Sequence, residues 1–158
     1  MKVYEHFLNR LIGPMIGAAD DDDADPMFFV GGDDPHRNEK VRAIFDQKFL
    51  PLVRTWFPAE FRNETKLALA HLLTFDRERA EKVWNSALPV GHATDPPILL
   101  WEWFWEELFP GEDYHLRDGD YEVVRLTPNL AELRQHPQDV SGCFANPDQS
   151  KDLGTPGR

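Results

Sequence analysis

The chain has 158 residues, 41% hydrophobic and 12% aromatic, with 28 acidic against 17 basic side chains and a net charge of −11. That length and apolar content suit one packed domain and exclude a wholly disordered chain. The charge repels phosphate backbones and anionic membranes, so no nucleic-acid or membrane binding is expected, whereas a basic protein partner would be steered in.

The charge is unevenly spread. Residues 1–36 carry two basic and eight acidic side chains, residues 91–126 two and nine, but residues 37–90 ten and seven. Two acidic blocks thus flank a mildly basic middle. A lone cysteine, Cys143, rules out an internal disulfide and suits a reducing compartment. Near the N-terminus Glu5, His6, Asn9 and Arg10 break up the apolar residues, unlike a signal peptide. No stretch approaches the ~18 apolar residues of a membrane span. A soluble, cytoplasmic protein is the expectation.

In chain order, Tyr4, Phe7, Leu8, Leu11, Ile12 and Met15 recur at spacings of three and four and predict a first helix, ended by Gly13, Pro14 and Gly17. The run Asp20-Asp21-Asp22-Asp23-Ala24-Asp25-Pro26 repels itself and predicts an exposed loop. Met27–Val30 reads as a short strand. Asp34-Pro35 is a helix start, followed by a stripe through Val41, Ile44, Phe45, Phe49, Leu52, Val53 and Trp56 that Pro51 should kink or split.

A third helix runs from about Ala59 to Leu73, with Phe61, Ala68, Leu69 and Leu72 inward, and a fourth carries Ala80, Val83, Trp84 and Ala87. Residues 97–109 are Pro-Ile-Leu-Leu-Trp-Glu-Trp-Phe-Trp-Glu-Glu-Leu-Phe. As a helix, this stretch gathers Ile98, Leu100, Trp101, Phe104, Trp105, Leu108 and Phe109 on one half of its circumference. Trp103 is left on the other half with Leu99, Glu102, Glu106 and Glu107. A two-residue turn at Asp118-Gly119 predicts a hairpin between Tyr114–Arg117 and Asp120–Leu126. Thr127-Pro128 starts a short last helix. The fold class is therefore α+β, mainly α, with four or five helices and a small antiparallel β-hairpin. One compact domain spans residues 1–135, with an extended or weakly ordered tail over 136–158.

Sites with defined chemistry are hard to find. Asp21, Asp23 and Asp25 match the first ligand positions of a calcium loop, but Pro26 and Gly32 stand where glycine and the closing glutamate are needed. The six histidines, at positions 6, 36, 71, 92, 115 and 136, show no zinc-ligand spacing. Neither a metal nor a cofactor is expected. Cys143 has only His136 among basic residues nearby and is an incidental thiol. His115 with Asp113, Asp118 and Asp120 is the best remaining polar cluster.

The partner-binding candidates are Trp103 with Glu102, Glu106 and Glu107, and the loop Asp20, Asp21, Asp22 and Asp23. A rigid indole supplies buried area, and carboxylates around it pair with Lys or Arg opposite. The expected function is a small acidic inhibitor or neutraliser, immunity- or antitoxin-like, that covers a basic site on a toxin or nuclease-like enzyme. A structural or adaptor subunit of a larger assembly is the alternative, and an enzyme with a site near His115 the third.

Overall fold

The computed structural model describes residues 1–19, 35–57, 59–80, 82, 94–125 and 130–145. A short strand, β1 (Lys2–Tyr4), leads through Glu5 into α1 (His6–Ala19). The apolar face holds, with Phe7, Leu8, Leu11 and Ile12 all buried. Two details differ from expectation. Tyr4 belongs to the strand, and α1 continues through Gly13 and Pro14. The proline forfeits only the bond to the carbonyl of Arg10, a residue on the exposed side of the helix.

Helix α2 (Arg37–Ile44), with His36 rather than Asp34 at its N-cap, runs through a π turn at Phe45–Phe49 into α3 (Leu50–Trp56). This is the form that the interruption near Pro51 takes. The Leu50 amide donates to the Phe45 carbonyl, five residues back. The widened turn makes room just before a ring that has no amide to donate. The extra residue also advances the apolar face: Leu50 is buried, while Leu52 is half-buried.

A 3₁₀ turn, Ala59–Phe61, opens onto α4 (Arg62–Phe75). Leu67, Ala68, Leu69, Ala70, Leu72 and Leu73 are all buried, so its middle is enclosed nearly all round. It is the central helix, packed against α1, β1 and α5 (Ile98–Leu108). On α5 and its C-cap Phe109, all seven residues assigned inward are buried. The indoles of this face find polar partners: Trp101 donates to the Ala80 carbonyl at 3.4 Å and Trp105 to that of Glu112 at 2.8 Å.

The protein is mainly helical with a small two-stranded sheet, and the sheet differs from the hairpin expected at Asp118-Gly119. Strand β2 (Glu122–Val124) pairs with β1, in parallel, with Lys2 opposite Glu122, Val3 opposite Val123 and Tyr4 opposite Val124. The other predicted arm contributes one antiparallel bridge, Leu116 to Phe144. A turn dipeptide signals a local reversal; here burial of Val3 over α4 selects a distant partner instead.

After the short α6 (Leu130–Gln135), residues 136–145 contact the strand β1 and helix α4. Val140 is buried. The Gln138 side chain accepts from the Lys2 amide at 2.9 Å and donates to the Lys2 carbonyl at 2.7 Å, as a third strand would. Its own amide donates to buried Glu64 at 3.3 Å. The strand expected at Met27–Val30, the fourth helix's Val83, Trp84 and Ala87, Thr127-Pro128 and the tail from 146 lie outside the described residues.

Candidate docking surface

The acidic face of α5 is engaged by the chain's own arginines. Arg42 on α2 lies over the rings of Trp103 at 5.1 Å and Phe45 at 5.5 Å. Its guanidinium meets Asp46 and Glu107, each at 2.9 Å, and Glu106 at 3.4 Å. Arg54 takes the second oxygen of Glu107 at 3.1 Å, and Arg77 reaches Glu102 at 2.6 Å. The predicted anchor Trp103 is therefore half-buried beneath a cation already in place, and Glu102, Glu106 and Glu107 each have an internal partner. The Glu106 side chain keeps 65% exposure. Asp20, Asp21, Asp22 and Asp23 lie outside the described residues.

A second acidic face is built differently. Phe75, the last residue of α4, remains 45% exposed, and Val123 in β2 remains 36% exposed. Between them lie His71 and Tyr121. The Phe75 ring centre is 5.6 Å from that of Tyr121 and 5.4 Å from that of His71, and His71 and Tyr121 are 5.7 Å apart. The Tyr121 hydroxyl donates to the Arg117 carbonyl at 2.8 Å, which fixes the ring. Burial, then the charges of Cys143 and Asp118, push the tyrosine's pKa up. Burial pushes that of His71 down, partly countered by Asp76, so the imidazole is neutral at pH 7.

Asp118 lies near enough to Tyr121 to act on it, whereas the alternation of β2 places Asp120 and Glu122 on its other face; all three are exposed, and no ion pair engages their carboxylates among the described residues. The sequence singles out Asp118 for its turn, and Asp118 and Asp120 as neighbours of His115, but passes over Phe75, which falls just beyond the helix end assigned there. The available signal was the density of acids over 112–122 beside a hairpin-like turn.

A concavity of about 510 Å³ lies elsewhere, lined by Glu5, His6, Asn9, Asp76, Glu78, Arg79, Lys82 and Arg125. Glu5 is held by Arg79 at 2.9 Å and approached by Arg125 at 3.9 Å. Both ring nitrogens of His6 are buried without a partner among the described residues. Burial, then nearby Arg10, lowers its pKa, so this imidazole is neutral too. Opposite charges largely cancel across the cleft. His115 stands apart from it, its Nδ1 2.5 Å from Asp113 Oδ1 and its ring stacked on Tyr114 at 4.5 Å. Burial pushes the Asp113 pKa up, but hydrogen bonds from His115 outweigh it and hold the carboxyl below its usual range. Both side chains are open to solvent, where water competes for any reacting group.

Among the described residues no three His, Cys, Asp or Glu side chains converge on a common metal position, and no helix is long and apolar enough to cross a membrane. Comparison with protein-family models, curated proteins and solved structures returns no match.

Proposed function

We propose that the protein is a binding module that covers a basic surface of a partner protein, acting as an inhibitor or neutraliser of the immunity or antitoxin kind. The observation that carries this reading is the contrast between its two acidic faces. On α5 the carboxylates are neutralised internally. Along β2 and the segment before it, Asp118, Asp120 and Glu122 stand free of ion pairs among the described residues, on the same edge as exposed Val123 and the Tyr121 ring that packs on exposed Phe75. An aromatic centre with a charged rim is the composition of a protein-docking surface. The net charge of −11 adds long-range attraction for a cationic partner.

The test is photo-cross-linking in the source cells, with a benzophenone-bearing phenylalanine placed at position 75 or, separately, at position 106. The reading expects a covalent adduct with a basic protein from position 75 and little from position 106. An adduct from position 106 alone would move the docking surface to α5. The absence of adducts from both positions contradicts the reading.

A further inference from the structure

We propose that the partner is held by strand addition: an extended segment, with apolar and basic residues in alternation, pairs with the outer edge of β2. The inference rests on the docking surface just described and specifies how that surface is read.

The two edges of the sheet are unequal. On β1, Gln138 occupies both outward groups of Lys2 through its amide. On β2, the Glu122 amide donates to the Met1 carbonyl at 2.9 Å and the Val124 carbonyl accepts from Glu5 at 3.1 Å, so residues 122 and 124 face β1. Alternation then turns the amide and carbonyl of Val123 outward. No described residue bonds to either. An unpaired edge with an exposed valine is a template for one more strand.

The same alternation dictates the occupant. Val123 and Tyr121 point to the α4 side, where Tyr121 meets His71 and Phe75. Glu122 lies on the opposite face, and the same two-residue period places Asp120 with it. A strand laid along β2 sets alternate residues against Phe75 and Val123, where apolar groups gain burial. The intervening residues stand beside Asp120 and Glu122, where Lys or Arg is favoured. A second copy of this chain fits poorly, because self-pairing would bring these acids against their own counterparts. The occupant is therefore a cationic, alternating segment of another protein.

The probe is a blocked octapeptide of alternating Lys and Val, compared with a peptide of the same composition in two blocks, Lys then Val. Binding is read by fluorescence anisotropy, and edge pairing by hydrogen exchange of the Val123 amide. Strand addition expects the alternating peptide to bind at least roughly tenfold tighter and to protect the Val123 amide. The Val123→Pro variant, which removes an outward donor while sparing the bonds to β1, should keep its thermal unfolding midpoint and lose the preference. Equal binding of both peptides with an unprotected Val123 amide overturns strand addition and leaves cation capture standing. Failure of the alternating peptide to bind, or dimerisation of the protein through this edge, overturns the inference; the cross-linking result then decides the docking surface separately.

Discussion

At the scale of single residues, the chain's own arginines decide which acids have an internal counter-charge and which do not. Arg42 joins three carboxylates and two aromatic rings, and only 28% of its side chain is exposed. Replacing it, as Arg42→Met, keeps some apolar cover but removes the cation–π contacts and leaves Glu107 with Arg54 alone. A loss of about 1–2 kcal/mol is expected in urea unfolding, with partner capture unchanged. The buried imidazoles supply a pH dependence. His6 and His71 both titrate below 6.5 in the folded state, so the unfolded chain takes up protons first as pH falls. Their neutral forms contribute stability above that value, and it is lost on the way down to the folded-state pKa. Thermal unfolding midpoints should fall between about pH 7.5 and 5.5, and a His6→Gln, His71→Gln double variant should flatten that slope. An unchanged slope would assign it to other groups.

Among the elements, helices were legible in the sequence and the sheet was not. The inward face of α5 could be named residue by residue because the helical period is local: neighbours on the face are three or four positions apart. The π turn disturbed this only slightly, exchanging Leu52 for Leu50. The parallel pair joins residues 120 apart in sequence, Lys2 with Glu122, and three-residue strands carry too little alternation to reveal a partner. Tyr4 fits a helical stripe and a strand equally well. The Gln138 clasp was illegible for the same reason, since it reaches Lys2 across 136 positions. Two predictions belong here. Gln138→Ala should cost about 1–2 kcal/mol by undocking residues 136–145 from the β1 edge, seen as faster exchange of the Lys2 amide. Glu122→Pro should destabilise by about 1–3 kcal/mol because its amide is bonded to Met1, whereas Val123→Pro should change stability by less than about 0.5 kcal/mol. Equal melting of the two proline variants would mean that the outward amide has been misassigned.

On the scale of the whole molecule, net charge argued for a cationic partner, but charge alone could not say where it docks. Composition counts Glu102, Glu106 and Glu107 with Asp118, Asp120 and Glu122 as like acids; only the fold shows that arginines engage the first group. The indole of Trp103, which the sequence places on the acidic half of α5, supports Arg42, and among the described residues the solvent-facing aromatic is Phe75. Attraction from the second group is long-range, so association should slow as ionic strength rises. The most direct measurement compares the affinity of the protein trapped from position 75 for two charge reversals. With Asp118, Asp120 and Glu122 changed to Lys, binding should weaken by roughly a hundredfold while the fold is retained. With Glu106 alone changed to Lys, affinity should stay within about threefold of the parent. Undiminished binding by the triple reversal would contradict the assignment of this face as the docking surface.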